Sequence, residues 1–268
     1  MIAYPVAVRG VPTRVLESGT SGTPVVFVHG TGGRAERWER NLDAVAAAGY
    51  HAYAFDLPGH GFAAKGAGIE CSVPAYEELL FSFISELKQK TFIVGTSLGG
   101  HVVASCAVQH PELVKGIALC GSMGLIPIGA EARGRIQGGA NNQTREGIAG
   151  KFTRIIFDQS LVTPEMVEAE FRINNSPGAK ESFAALGKYI AEKLDDDVVG
   201  EKLAASKIPV LLAWGDQDKV VPFAVGEAAA KLLPGSRFVK LAGAAHTPYY
   251  EKHEQFNAAL LDFLRAHA

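Results

Sequence analysis

Short apolar segments alternate with amphipathic segments along most of this chain. The apolar segments are continuous, which is typical of strands buried on both faces, and the segments between them carry apolar residues at helical spacing. Strands and helices that alternate in this way form a mostly parallel sheet with helices on both faces. We therefore predict an α/β fold, in which the strands comprise residues 25–30, 51–57, 92–94, 114–120, 208–215 and 236–243.

The alternation is interrupted between residues 122 and 207. This stretch is more polar, has no strand-like run, and carries helical patterns at residues 146–157, 164–173 and 180–194. Strand and helix patterns resume at residue 208. We therefore predict one α/β core, built from residues 1–121 and 208–268, with a helical cap inserted at residues 122–207.

Composition excludes several classes of function. The chain has 268 residues, of which 47% are hydrophobic, so it can bury a large core. Its 26 basic and 28 acidic residues give a net charge of -2, which provides no positive surface for nucleic acid or an anionic membrane. We expect a small-molecule substrate as the partner, no nucleic acid and no membrane, and a homodimer is left open.

The cysteines and the N-terminus add two further expectations. The 3 cysteines, Cys71, Cys106 and Cys120, lack C-x-x-C spacing, so we expect neither a disulfide framework nor a metal site, and no cofactor. The N-terminal residues show no basic segment followed by an apolar core, and no apolar run approaches membrane-spanning length. The expected location is therefore cytoplasmic.

One strand is followed at once by a serine between glycines. Residues 95–99 read G-T-S-L-G, and residues 101–109 can continue as a helix. Glycines are needed where a turn has strained backbone angles and neighbouring segments approach without room for a Cβ. Ser97 would then project its hydroxyl at the positive end of a helix, with the Leu98 amide free to donate. The alternative is a glycine-rich turn in which the serine is incidental.

Candidate catalytic residues follow three of the predicted strands. Ser97 follows one, Asp216 and Asp218 follow another, and His246 follows the last. In open α/β sheets, ligands bind at the carboxyl ends of the strands, so these side chains are expected at one edge of the sheet. A serine hydroxyl becomes a good nucleophile when an imidazole takes its proton, and a carboxylate fixes that imidazole's tautomer.

Together these motifs resemble those of the α/β-hydrolases over nearly the full chain. The resemblance lies in H-G-T-G-G at residues 29–33, D-L-P-G-H-G at 56–61, G-T-S-L-G at 95–99, W-G-D-Q-D at 214–218 and G-A-A-H at 243–246. It implies a catalytic triad of Ser97, Asp218 and His246, with an oxyanion hole made by the backbone amides of Thr31 and Leu98. Asp218 is preferred because the acid of similar loops lies three residues after the glycine, here Gly215. Asp216 is the alternative acid of the triad. Its other possible role is to cap the loop.

Further positions are candidates for lining the pocket. For His29 and His101 the alternative is a structural role, in ordering the oxyanion loop and in beginning the helix after Ser97. Arg172 lies in the predicted cap, whose arginines would suit a substrate that carries a carboxylate. The pocket candidates are His29, Gly30, Gly32, His101 and Arg172.

A serine nucleophile indicates acyl transfer, and the leading hypothesis is hydrolysis of a small carboxylic ester, lactone or related acyl substrate. The alternative is hydrolysis of a carbon-carbon bond in a vinylogous diketone, because the segment at residues 162–171 is similar to the ring-cleavage-product hydrolases. Those enzymes usually carry a tryptophan after the catalytic histidine and a cap arginine, where this chain has Thr247 and Glu170. A third class comprises ligand receptors, lyases and cofactor-independent oxygenases of the same fold.

Overall fold

An eight-stranded sheet forms the centre of the molecule. The structure is a computed structural model that describes the whole chain, residues 1–268. The strands lie in the order β1-β2-β4-β3-β5-β6-β7-β8, and only the β1–β2 and β2–β4 pairs are antiparallel. This confirms the predicted, mostly parallel α/β sheet. The strands are β1 (Ile2–Val8), β2 (Val11–Ser18), β3 (Pro24–Val28), β4 (His51–Phe55), β5 (Thr91–Thr96), β6 (Val114–Cys120), β7 (Val210–Gly215) and β8 (Arg237–Leu241).

Several helices begin where the sequence provides a cap or a proline. The Ser72 hydroxyl accepts a hydrogen bond from the Ala75 amide at the start of α2, and Thr144 and Thr163 cap α5 and α6 in the same way. Such caps satisfy amides that have no partner within the helix. The helices are α1 (Glu39–Ala47), α2 (Val73–Glu86), α3 (Leu98–Gln109), α4 (Ala130–Asn141), α5 (Arg145–Ile155), α6 (Pro164–Asn174), α7 (Ala179–Glu192), α8 (Gly200–Ala205), α9 (Phe223–Leu232), α10 (Pro248–Glu251) and α11 (His253–Ala266).

The sheet separates two apolar cores. Successive side chains of a strand point to opposite faces, and β5 divides accordingly: Ile93 packs in one core, whereas Phe92 and Val94 pack in the other. Helices α2, α3 and α9 contribute to the first core, and α1 and α11 to the second. Both faces of the central strands are therefore covered, which fixes the positions of the loops at their carboxyl ends.

Between β6 and β7 the chain forms helices and no strand. Helix α5 packs onto the core, because Ile148 and Phe152 share an apolar cluster with Trp38 and Tyr249. The Thr247 amide and hydroxyl both donate to the Ile155 carbonyl oxygen, at 3.1 and 2.9 Å. The helical segment thus contacts the loops at the carboxyl ends of the strands. No helix in the chain has both the length and the apolar character needed to cross a membrane.

Candidate active site

Ser97 occupies a strained turn between β5 and α3. Its backbone angles, φ 54° and ψ -122°, lie outside the regions that residues other than glycine usually adopt. The turn is held by the Ser97 amide, which donates to the Cys120 carbonyl, and by the Met123 amide, which donates to the Ser97 carbonyl, each at 3.1 Å. Leu98 is the first residue of α3, so its amide has no acceptor within the helix.

Gly99 lets this turn pack against the backbone of β3. A Cβ on Gly99 would lie 2.8 Å from the Val28 carbonyl carbon and closer still to the Val28 and His29 carbonyl oxygens. Because these neighbours are backbone atoms, they cannot rotate away as a side chain would. The glycine at this position of the motif is therefore a packing requirement.

We expect Gly99→Ala to destabilise the protein by about 1–3 kcal/mol, since overpacking against backbone forces the turn and strand apart. The measurement is the free energy of unfolding in urea. Gly134→Ala in α4 is the matched control, because a Cβ there meets nothing within 4 Å. Alanine is favoured over glycine inside a helix by up to about 1 kcal/mol, so this control should be neutral or stabilising. Equal effects of the two substitutions would contradict the packing argument.

His246 and Asp218 form a buried pair beside Ser97. His246 Nδ1 lies 2.8 Å from Asp218 Oδ2, and Asp218 Oδ1 accepts hydrogen bonds from the amides of Val220 (2.8 Å) and Val221 (3.0 Å). Ser97 and His246 line the same cavity, of about 50 Å³. Their side chains share no direct hydrogen bond, a contact that often tightens only when substrate is bound. The geometry leaves His246 Nε2 free to act as a base.

Asp216, the alternative acid, is engaged elsewhere. Its Oδ1 accepts from the Gly243 amide at 2.9 Å, and its other oxygen lies 3.4 Å from Lys240 Nζ. It therefore ties the β7 loop to the loop after β8 and has no contact with His246.

Glu251 braces the histidine loop against the helical segment. Its Oε1 accepts from the Ala245 amide at 2.8 Å, and its Oε2 accepts from the amides of Phe157 (2.6 Å) and Asp158 (3.1 Å). Since Ala245 precedes His246, these bonds fix the position of the imidazole relative to the cap helices.

The loop after β3 lies directly against Ser97. A Cβ on Gly30 would lie 2.9 Å from Ser97 Cβ, so only glycine allows this approach. The Thr31 amide has no acceptor in the protein, and the buried Thr31 hydroxyl has no partner either. Gly30 and Thr31 both line the cavity, whereas Gly32 contributes its carbonyl oxygen to Lys151 Nζ, at 3.3 Å. Donors from Thr31 and Leu98 are thus unpaired close to the serine.

Two histidines predicted as pocket candidates do not line the cavity. His29 is fully buried, and its Nε2 accepts from the Leu57 amide at 3.0 Å while Nδ1 donates to the Gly30 carbonyl at 2.9 Å. His101 is also fully buried, with its Nε2 2.8 Å from the Asp197 carbonyl oxygen. Both have structural contacts: His29 orders the loop after β3, and His101 binds α3 to the segment before α8.

Burial lowers the pKa of His29 to about 4, against an ordinary value of 6.5. As the pH falls, His29 of the unfolded chain therefore binds a proton at a higher pH than His29 of the folded protein. The stability that the neutral His29 provides above pH 6.5 is lost as the pH falls towards 4. Protonation of His29 would also remove the acceptor of the Leu57 amide. We expect the titration of His29 to lower the free energy of unfolding by about 3 kcal/mol between pH 6.5 and pH 4.

The measurement is urea denaturation between about pH 7 and pH 5, above the range where most carboxylates titrate. His29→Gln should be less stable at neutral pH but should show a shallower pH dependence than the wild type. An unchanged pH dependence in the variant would show that His29 is not the group responsible.

Arg172 is also placed differently from the prediction. Its side chain is 77% exposed and pairs with Glu168, one turn earlier on α6, so it does not reach the cavity. Two residues earlier on the same helix, Glu170 is almost fully buried. A shift of two residues turns a helical side chain by about 200°, which explains why one faces solvent and the other faces the core.

Sequence reasoning missed a cluster of charged residues at the cavity. Arg37 and Lys151 line the cavity beside Ser97, and both form ion pairs with Glu170. A sequence signal existed for Glu170, since it shares one helical face with Met166 and Asn174 at intervals of four residues. No local pattern distinguishes Arg37 or Lys151 from surface cations.

A larger cavity, of about 400 Å³, lies far from these groups. It is lined by residues at the amino ends of β7 and β8, including Pro209, Val210 and Arg237. Substrate chemistry in parallel sheets takes place at the carboxyl ends. The smaller cavity, which is lined by Ser97, His246 and Thr31, is therefore the candidate active site.

The chain is similar to known proteins over most of its length. The family described as "Alpha/beta hydrolase family" matches residues 25–259. The dihydrolipoyllysine-residue acetyltransferase component of the acetoin cleaving system of Cupriavidus necator is 33% identical over 260 residues, which cover 94% of this chain and 66% of that protein. The chain therefore spans just under two thirds of the length of this relative.

Two further proteins match over most of their own length. The 2-hydroxy-6-oxononadienedioate/2-hydroxy-6-oxononatrienedioate hydrolase of Paraburkholderia phymatum is 29% identical over 261 residues, covering 92% of this chain and 89% of the relative. A solved structure, the serine hydrolase CarC involved in carbazole degradation, superposes with a TM-score of 0.86 at 27% identity, covering 99% of each chain.

Proposed function

The chain belongs to the alpha/beta hydrolase family, and we propose that it is a serine hydrolase that cleaves a small carboxylic ester or lactone through an acyl-enzyme on Ser97. One observation carries the proposal. A serine in a strained turn and a histidine bound to a buried carboxylate lie at one cavity, which the unpaired Thr31 amide also lines, and the unpaired Leu98 amide directly follows the serine. These are the groups that acyl transfer requires.

In the proposed reaction, His246 Nε2 takes the proton from the Ser97 hydroxyl as the oxygen attacks the substrate carbonyl. Asp218 holds Nδ1–H and stabilises the imidazolium that forms. The amides of Thr31 and Leu98 donate to the developing oxyanion. His246 then gives its proton to the departing alkoxide, the acyl-enzyme is left on Ser97, and a water activated by the same imidazole hydrolyses it.

A second candidate is hydrolysis of a carbon-carbon bond in a vinylogous diketone. It is favoured by the likeness to the Paraburkholderia phymatum hydrolase and to CarC. Two positions of this chain favour the ester instead. Thr247 stands where the carbon-carbon hydrolases usually have a tryptophan, and its hydroxyl is used to bind the Ile155 carbonyl. Glu170 stands near the position of their cap arginine, so α6 itself supplies no guanidinium at that position.

The test is a panel of substrates at neutral pH: p-nitrophenyl acetate and butyrate, a small aliphatic lactone, and a vinylogous diketone of the ring-cleavage type. We expect many turnovers on an ester or lactone, with kcat/KM well above that for the diketone. Preferential cleavage of the diketone would support the second candidate. A stoichiometric burst without turnover, or no reaction on any member, would contradict hydrolase activity of this kind.

A further inference from the structure

Three charged side chains lie together beside the reacting serine. Arg37 follows β3, Lys151 comes from α5 and Glu170 from α6, and the carboxylate of Glu170 binds both cations. The ring of Phe152 lies against both, with its centroid 4.9 Å from the Arg37 guanidinium carbon and 5.7 Å from Lys151 Nζ. The cluster contains two positive charges and one negative charge, so it has an excess of one positive charge.

The excess charge faces the cavity. Arg37 and Lys151 line it, with side chains 12% and 18% exposed, whereas Glu170 is 1% exposed and lies behind them. Arg37 uses a single terminal nitrogen to bind Glu170, which leaves its other donors without a protein acceptor. Lys151 has three donors, of which one binds Glu170 and one the Gly32 carbonyl. Both cations therefore have free N–H groups at the cavity.

Neighbouring charges do not balance this excess. Arg14 pairs with Glu36 and Asp56, and Arg34 pairs with Glu36, so two cations there meet two carboxylates. A buried charge without a counter-charge is costly, and an anion supplied by a ligand would remove that cost. Burial lowers the pKa of the Lys151 amine while Glu170 opposes this shift. A second carboxylate would oppose it further and keep the amine charged.

We propose that Arg37 and Lys151 form a subsite for a carboxylate, and that the substrate is an ester or lactone carrying a carboxylate group near its scissile carbonyl. This inference rests on the proposed serine hydrolase function. The sequence suggested that arginines of the cap bind an anionic substrate. The structure places this role instead on Arg37 of the core and Lys151 of the cap. The same ion pairs also join the cap helices to the core, but that bracing role would affect neutral and anionic substrates alike.

The test uses pairs of substrates in which a neutral group of similar shape replaces the carboxylate. In the first pairs, the p-nitrophenyl monoesters of succinate and glutarate are compared with p-nitrophenyl 4-methylpentanoate and 5-methylhexanoate, in which an isopropyl group replaces the carboxylate. In the last pair the charge lies on the alcohol, with 4-acetoxybenzoate against 4-isopropylphenyl acetate. The measured quantity is the ratio of kcat/KM within each pair, after subtraction of the uncatalysed rate.

We expect the wild type to prefer the anionic member of at least one pair. Lys151→Met should lower that ratio by about tenfold to a hundredfold, because a charge-assisted hydrogen bond is lost while the Arg37–Glu170 pair remains. Glu170→Gln should raise the ratio, because it increases the positive charge at the cavity. Arg172→Gln is the matched control on the cap surface and should leave the ratio unchanged.

Opposite effects of Lys151→Met and Glu170→Gln on the ratio are the result that a bracing role cannot produce. If Lys151→Met does not fold, Arg37→Gln tests the same prediction, and competitive inhibition of butyrate ester hydrolysis by glutarate gives an independent measure of the subsite. Two results would overturn the carboxylate subsite while leaving the hydrolase proposal intact. One is a wild type that prefers the neutral member of every pair, and the other is an equal loss of kcat/KM on both members in Lys151→Met. Absence of any Ser97-dependent turnover would instead overturn the proposed function.

Discussion

Replacing Ser97 with alanine should lower kcat for p-nitrophenyl butyrate by at least about 10⁴-fold, because the substitution removes the oxygen that attacks the substrate carbonyl in the proposed reaction. The measurement is steady-state release of p-nitrophenolate by wild type and variant at equal concentration. The substitution removes one oxygen at a residue that is 6% exposed, so we expect the folded state to persist and circular dichroism to be unchanged.

Ser105→Ala is the matched control for this prediction. Ser105 is also buried, at 5% exposure, and lies on α3 two turns beyond Ser97. Its loss should leave kcat within about threefold of the wild type, since its hydroxyl does not line the cavity. Substantial turnover remaining in Ser97→Ala would show that the observed hydrolysis uses another group or arises from a contaminating esterase.

Asp218→Asn should have the second largest effect, lowering kcat by about 10³- to 10⁴-fold. The amides of Val220 and Val221 donate to one oxygen of Asp218, so the substituted side chain would keep its oxygen there and turn its NH₂ group towards His246. An NH₂ donor at Nδ1 favours the tautomer with the proton on Nε2. That tautomer cannot take the proton of Ser97.

Asp216→Asn is the comparison that separates the two acids. Asp216 binds the Gly243 amide and Lys240, so its substitution should reduce kcat by less than about tenfold. Both variants are assayed with the butyrate ester across a range of pH, so that a change of tautomer is distinguished from a simple shift of the optimum. A larger loss in Asp216→Asn than in Asp218→Asn would reverse the assignment.

Several features of the fold and of the site could be predicted because they depend on local sequence. Strands buried on both faces are mainly apolar, and residues 92–94 and 117–120 show this as unbroken apolar runs. The turn at Ser97 requires glycines at fixed positions, and the backbone at Gly99 shows the reason. The resemblance to similar family loops favours Asp218 over Asp216, and the two hydrogen-bond networks give each residue a separate partner.

The polar lining of the cavity could not be predicted, because it depends on how the cap helices are rotated about their axes. Sequence placed Arg172 near the substrate, but the rotation of α6 turns Glu170 inwards and Arg172 to solvent. The contribution of Lys151 requires α5 to lie over Gly32, a contact between residues 119 positions apart. The roles of His29 and His101 depend on the fold for a related reason, since the Leu57 amide and the Asp197 carbonyl that they bind are distant in sequence.

The central claim is that Ser97 carries the acyl group during turnover, and mass spectrometry of the quenched enzyme tests it most directly. The protein is mixed with p-nitrophenyl butyrate, stopped with acid within the first turnovers, and measured intact and after proteolysis. The account predicts that the mass increases by one butyryl group, located on the peptide that contains Ser97 and absent from Ser97→Ala. Turnover without any acylated Ser97, or a butyryl group on a different residue, would contradict it.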